Sequence, residues 1–390
     1  MRHVYFDNAA TTQLRPEVVA SMVEVLNDIP GNPSSTHAYG RTAKGLIERA
    51  RKTVAQYLNV SAGEIIFTSG GTEADNLIIQ SAVKHLDVQR VITSRIEHHA
   101  VLHAADYVAT HFGAEVVYVN LKDCGTPDEK HLEELLLASD KKTLVSLMHV
   151  NNEIGNMIDI AHIASLCKKH NALIHSDMVQ SVGHYELDLQ NIPLDFIAVS
   201  AHKFHGPKGV GFAFIRKNSG LKPLIVGGAQ ERGMRAGTES VHNIVGLETA
   251  LKLSYDHLDE ERNYIKGIKE YFVAQLSHII PEIKWNGNCF NSGKSTYTLL
   301  NVCLPIAHEK AILLLFQLDM KGIACSKGSA CQSGSDKGSH VLQEILQEED
   351  LKKPSIRFSF SKYNTKEDVD YVIDTLASFM GIKASSSTAH

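Results

Sequence analysis

Through the middle of the chain, short apolar and β-branched runs recur at intervals that leave room for a helix between them. Runs at 65–68, 91–94, 115–119, 144–150, 172–176, 195–200 and 211–216 read as strands. The spacers read as helices. In 160–170, for example, Ile160, Ile163, Ala164 and Cys167 fall at helical spacing. This alternation predicts an α/β domain with a mostly parallel seven-stranded sheet and right-handed crossovers. After about residue 260 the rhythm changes. Helical stretches at 260–280 and 307–320 alternate with separate strand candidates at 296–302, 322–326 and 355–360. The expectation is a large domain over 14–260 and a smaller α/β domain built from 1–13 and 261–382. The small, polar stretch 383–390 reads as a disordered tail.

Composition narrows the class without naming it. The 390 residues are 43% hydrophobic and 21% charged, an ordinary globular balance. A formal net charge of -5 offers no basic field for nucleic acid or an anionic membrane. No secretory leader is visible at Met1, and no apolar run reaches the length of a membrane span. Six scattered cysteines, none in a C-x-x-C pair, fit neither a disulfide framework nor a structural zinc site. The expected compartment is the reducing cytoplasm.

Ligands of open α/β sheets bind at the carboxyl ends of the strands, so the residues just after each strand belong together. After 65–68 comes Ser69-Gly70-Gly71-Thr72-Glu73-Ala74-Asp75-Asn76. The glycines allow close backbone approach, and the following helix end suits a phosphate; the plain alternative is a helix start capped by Thr72. After 91–94 comes Glu97-His98-His99-Ala100, with His103 beyond. His99 and His103 stand one helical turn apart, as metal ligands would, but no matching carboxylate motif accompanies them. His98 fits better as a residue that stacks on an aromatic ligand and moves protons. After 172–176 comes Asp177, then Gln180; a carboxylate there suits the ring nitrogen of a pyridine cofactor. After 195–200 comes Ala201-His202-Lys203, a lysine beside two potential phosphate donors, Ser200 and His202. Lysine among desolvating or cationic neighbours forms imines more readily. The later Gly206-Pro207-Lys208-Gly209 run lacks both common nucleotide-loop spacings and reads as a turn. In chain order these supply a phosphate cradle, a stacking base, a pyridinium partner and a Schiff-base lysine.

At this point the sequence resembles the cysteine desulfurases among the fold-type I pyridoxal phosphate enzymes of the class V aminotransferase family. The resemblance runs from Tyr5-Phe6-Asp7-Asn8-Ala9-Ala10-Thr11-Thr12 to about Arg357. It takes in Gly31-Asn32-Pro33-Ser34-Ser35, residues 68–76, His149-Val150-Asn151-Asn152-Glu153-Ile154-Gly155, His202-Lys203 and Glu231-Arg232-Gly233-Met234-Arg235-Ala236-Gly237-Thr238. It implies pyridoxal phosphate held by Lys203, with His98 stacked on the ring and active in acid–base steps. It pairs Asp177 with the ring nitrogen and Gln180 with the phenolic oxygen. Gly71, Thr72, Ser200 and His202 would bind the phosphate. Thr238 would complete that cradle from the other subunit of a homodimer. Asn152 and Arg357 would bind the substrate carboxylate, a task a guanidinium fork suits.

The discriminating stretch is Gly328-Ser329-Ala330-Cys331-Gln332-Ser333-Gly334-Ser335, inside a Gly- and Ser-rich segment spanning about 325–340. Its composition predicts a mobile loop. The G-S-A-C signature resembles the long-loop class of the family. The resemblance implies conversion of L-cysteine to L-alanine, with the sulfur moved to Cys331 as a persulfide. From there it would pass to an acceptor protein such as an iron–sulfur scaffold. No resident metal is implied; Cys331 would meet an iron–sulfur centre only during transfer. Cys325, where many relatives carry serine, reads as a plain strand residue or as an oxidation partner of Cys331. Relatives that serve a scaffold often carry a longer extension after the position of Ile382, so docking through such a tail is not expected here. Two alternatives compete. A selenocysteine lyase would share the cofactor chemistry without strictly requiring Cys331, and a non-catalytic sulfur-trafficking platform would keep only the fold.

Overall fold

The computed structural model describes residues 2–291, 293–327 and 338–382. Cys331 and the segment 383–390 lie outside the described residues. Twelve strands are present among them: β1 (Val4–Tyr5), β2 (Ile65–Thr68), β3 (Arg90–Thr93), β4 (Glu115–Tyr118), β5 (Thr143–Ser146), β6 (Leu173–Asp177), β7 (Phe196–Ser200), β8 (Gly211–Ile215), β9 (Lys284–Trp285), β10 (Leu299–Cys303), β11 (Ile323–Ala324) and β12 (Ser355–Ser359). Seven of them form one sheet in the order β2-β8-β7-β6-β5-β3-β4. Strands β3 to β7 run parallel, while β8 is antiparallel to both of its neighbours.

All seven sequence-predicted strands of the large sheet are present. Strands β2, β3, β5, β7 and β8 are buried at every position. This explains why they read as continuous apolar runs: helices cover both faces of the sheet. Alternate residues go to opposite faces. In β7, Ile197 and Val199 join one core while Phe196 and Ala198 join another. The first core is closed by helices Ala38–Tyr57, Ile160–Lys169 and Val241–Asp256, the second by Gly71–His85 and His99–Phe112. The predicted strand 144–150 ends at Ser146 because the chain then leaves the sheet. His149 still donates its backbone N–H to the Asp177 carbonyl at 3.1 Å, but Val150 turns back to bridge Met157.

A third core gathers residues from both ends of the chain. Strands β12, β10 and β9 form an antiparallel sheet, and β1 pairs in parallel with β11. Helices Leu258–Ile279, His308–Met320 and Lys366–Met380 accompany them. At the centre, Phe272 meets Phe6, Phe358 and Phe360 with ring centroids 4.8–5.9 Å apart. The N-terminal Val4 and Phe6 are therefore core residues here, not a loose end. The predicted strand 296–302 begins only at Leu299. Thr296 and Thr298 share a hydroxyl–hydroxyl bond of 2.9 Å ahead of the ladder. None of the helices among the described residues is long and apolar enough to cross a membrane.

Because Phe272 is fully buried among three other rings, Phe272→Ala should destabilise the protein by about 3–5 kcal/mol, combining lost transfer energy with the cavity left behind. Urea unfolding measures this; a loss below about 1 kcal/mol would show that the site collapses or that the ring cluster is absent.

Candidate active site

The carboxyl ends of the parallel strands converge on a cavity of about 210 Å³. Its wall includes Gly71, Thr72, His98, Asn152, Asp177, Gln180, Ser200, His202, Lys203 and Arg357. Ten of the residues singled out from the sequence thus face one space. Thr238 does not face it; within this chain it lines a separate cavity with Phe67, Ser69 and Arg235. Cys331 falls outside the described residues.

Lys203 sits in the short turn Ala201–Lys203 that follows β7. Its ammonium donates to the carbonyls of Ala9 and Ala10, at 2.6 and 2.8 Å. The N-terminal segment is held over it by Thr12, whose N–H and hydroxyl both donate to the His202 carbonyl at 2.9 Å. The Thr12 hydroxyl in turn accepts from the His205 N–H at 2.7 Å. Gln180 donates to the Ala9 carbonyl at 3.0 Å, and Asn8 is anchored to the Ser359 carbonyl at 2.8 Å. Ala9 and Ala10 thus act through their carbonyls, which side-chain chemistry could not announce, while Asn8 and Thr12 anchor the segment through their side chains.

At the other end, the helix Gly71–His85 points its N-terminus into the cavity. A Cβ on Gly71 would lie 2.6 Å from the Val179 methyl, and one on Gly211 would lie 2.1 Å from the Val199 carbonyl. Only glycine permits three backbone segments to meet there. Beside them, His202 is kept neutral, its pKa driven to about 3 by burial and then by the charges of Lys203 and Lys208. Its buried Nδ1 has no hydrogen-bond partner in the protein. A neutral imidazole nitrogen at a helix N-terminus is suited to an anion's oxygen.

His98 caps the helix His99–Phe112, accepting the Ala100 N–H on Nδ1 at 3.1 Å. Burial, followed by the charges of Lys203, His340 and His103, lowers it to about 4. It is therefore a neutral imidazole with its proton on Nε2. Asp177 accepts the Val179 N–H at 2.9 Å. Burial raises it to about 6 despite the nearby Lys203. Arg357 is already engaged: Nη2 meets Asp7 at 2.8 Å and Nη1 donates to the Asn152 carbonyl at 2.8 Å. Its Nε is buried without a partner.

Three further titratable groups lie in or behind this wall, Asp75 among its lining residues, and the sequence assigned none of them a role. Asp75, fully buried, sits 3.3 Å from His175 Nε2. Burial and the neighbouring Asp177 and Glu97 push its carboxyl well above the usual range. His175 bonds the Ser146 hydroxyl at 2.9 Å and is driven down to about 3 by burial. Glu97 accepts from the Ser94 hydroxyl and the Met148 N–H, at 2.8 and 2.9 Å. Burial nonetheless raises it to about 8. Polar residues on a helix face or a strand end read as solvent-facing until the fold turns them inward.

The raised pKa of Glu97 makes folding pH-dependent in a stated direction. Between its ordinary 4.5 and about 8, the folded chain keeps a proton that the unfolded chain releases. This contribution to stability therefore falls as pH rises through that window. Glu97→Gln removes the penalty and preserves the shape. In ligand-free protein its stability relative to the parent should rise by about 1–3 kcal/mol between pH 5 and pH 8. Thermal unfolding at the two pH values checks this; a constant difference would contradict a buried, protonated Glu97.

The aminotransferase class-V family model matches residues 4–372. A cysteine desulfurase IscS of Dictyoglomus turgidum is 38% identical over 377 residues, 96% of this chain and 94% of the relative. The solved NifS-like protein from Rickettsia africae superposes with a TM-score of 0.86 at 32% identity, covering 97% of this chain and all of that one. A structure described as SspA in complex with cysteine superposes with a TM-score of 0.79 at 32% identity, over 93% of this chain and all of the other. The α/β architecture is that of the fold-type I pyridoxal phosphate enzymes. The chain belongs to the class-V aminotransferase family, in the group of the cysteine desulfurases.

Proposed function

We propose that the protein is a cysteine desulfurase that converts L-cysteine to L-alanine and moves the sulfur onto Cys331. The observation that carries this reading is the gathering of Lys203, Asp177, His98, Gln180, Ser200, His202, Asn152 and Arg357 around one cavity. A relative solved with cysteine supports the choice of substrate. Residues 14–260 would form the cofactor-binding domain. Residues 1–13 and 261–382 would form the smaller one, a division supported by the separate core around Phe272.

The cavity fits pyridoxal phosphate, the cofactor of this family. The glycine cradle at the start of helix Gly71–His85 and the partnerless Nδ1 of His202 suit its phosphate, with Thr72 and Ser200 as further donors. Asp177 would hold the ring nitrogen, Gln180 the phenolic oxygen, and Lys203 would carry the cofactor covalently. When bound, pyridoxal phosphate withdraws electrons from an amino acid's α-carbon and so loosens bonds at Cα and Cβ.

The remaining work falls to this chain's own residues. Arg357 and the Asn152 side chain would orient the substrate carboxylate, Arg357 already being aimed by Asp7 and the Asn152 carbonyl. Lys203 would take the α-proton. Neutral His98 can give or accept a proton without first shedding a charge at neutral pH. The Cys331 thiolate would attack the substrate sulfur, breaking the Cβ–S bond. The electron pair goes to carbon, a proton follows, and L-alanine leaves. Cysteine plus thiol gives alanine plus persulfide, which balances with no added oxidant. Thiol exchange would then pass the sulfur to an acceptor protein such as an iron–sulfur scaffold. Thr238 would act from the second subunit of a homodimer, which its distance from the Lys203 cavity within one chain supports. A cytoplasmic location suits a persulfide carrier, since thiols persist in a reducing compartment.

Lys203→Ala should lose the visible absorption band of the lysine-bound cofactor together with all alanine formation. Retention of both would refute the role of Lys203. Cys331→Ala should keep the band and respond spectrally to L-cysteine, while alanine formation falls by about a hundredfold or more. Unimpaired turnover of cysteine in that variant would favour selenocysteine lyase-type chemistry instead.

A further inference from the structure

A second cavity, of about 440 Å³, lies between the helix Leu258–Ile279 and residues 289–290 and 295–297. Its volume is in the range of small-molecule sites. Val273, Ala274 and Phe290 give much of the wall an apolar surface. Lys269 belongs to the same wall and is only 7% exposed. Its ammonium donates to the Thr296 carbonyl at 2.6 Å and the Ser295 hydroxyl at 3.3 Å. Both acceptors are neutral. Glu270, the acid in the wall, is exposed and pairs with Lys266 at 3.8 Å. Arg262, also in the wall, is paired with Asp259.

A buried ammonium whose hydrogen-bond acceptors are both neutral is only partly compensated: the acidic groups of Cys289 and Glu270 act on it from the wall, but burial outweighs them, which is costly unless a counter-charge arrives. Burial accordingly lowers Lys269 to about 8. An anion in the adjoining cavity would supply the missing charge. The apolar wall asks for a hydrocarbon body, and one buried cation matches one negative charge. A phosphate dianion would need several more donors.

We propose that this cavity binds a small apolar carboxylic acid, its carboxylate paired with Lys269 and its hydrocarbon part against Val273, Ala274 and Phe290. The site is separate from the Lys203 cavity but close to it in bonding. Tyr297, in its wall, donates to the His184 carbonyl at 3.1 Å, and His184 Nε2 lies 3.1 Å from the Lys203 carbonyl. The chain's single tryptophan, Trp285, packs edge-on against Phe290 with centroids 4.9 Å apart, and so reports on the cavity.

Calorimetric titration of the holoenzyme with phenylbutyrate and with its alcohol counterpart, phenylbutanol, tests the proposal, with Trp285 emission followed in parallel. The acid should bind one per chain, shift the emission, and bind at least about tenfold more tightly than the alcohol. Ala274→Phe, at an exposed helix position, should fill the space and weaken the acid by about tenfold or more without altering the fold by circular dichroism. Lys269→Met should erase the preference for acid over alcohol. If that variant does not fold, the acid–alcohol difference in the parent tests the same charge. Equal binding of acid and alcohol, indifference to Ala274→Phe, or no binding of the acid up to about 10 mM would each overturn the proposal.

Discussion

The two hydrogen bonds from the Lys203 ammonium to the Ala9 and Ala10 carbonyls join parts of the molecule with separate cores. Lys203 is fixed by β7, in the middle of the large sheet. Ala9 and Ala10 follow β1, which pairs with β11 beside the phenylalanine cluster. Thr12 pins the crossing by bonding His202 and His205 on either side of the lysine. The cavity exists because these pieces meet. Arg357 reaches it from β12, while Asp7 and Asn152, from the two ends of the junction, hold its guanidinium. Disturbing the N-terminal segment therefore disturbs both the lysine and the arginine, though it contributes few side chains to the cavity.

Burial does most of the electrostatic tuning around this junction. The same desolvation that keeps His98 and His202 uncharged raises Asp177, Glu97 and Asp75. Such an arrangement destabilises the ligand-free protein. On the proposed function, a cationic ring nitrogen and a phosphate would suit it. The distribution of polarity thus supports the proposed placing of the cofactor: a helix N-terminus beside the partnerless Nδ1 of His202, a buried carboxylate, and a lysine on the same cavity.

Much of this was legible in the sequence, and the failures have physical causes. The seven strands of the large sheet were readable because burial on both faces leaves uninterrupted apolar runs. The direction of β8 was not, since such a run looks the same whichever way it points. β1 and β9, two residues each, are too short to carry a period. The strand-end residues were readable as one shared lining because the sheet topology brings strand ends together. Asp75, Glu97 and His175 were not, because a polar residue in a helix or strand pattern reads as solvated until its surroundings are known. Ala9 and Ala10 act through carbonyls, which every residue has. Cys331 was singled out from its glycine- and serine-rich setting and from a family resemblance, and its position lies outside the described residues.

On the proposed function, Lys203 would serve many activities alike, and the chemistry specific to this chain would turn on what Cys331 does with the sulfur. The most direct measurement is intact-mass and peptide mapping of the holoenzyme after one turnover with L-cysteine, without reductant. The account predicts one added sulfur atom, about 32 Da, on the peptide containing Cys331, with one alanine released per sulfur retained. Alanine released with Cys331 unmodified, or pyruvate in its place, would contradict it.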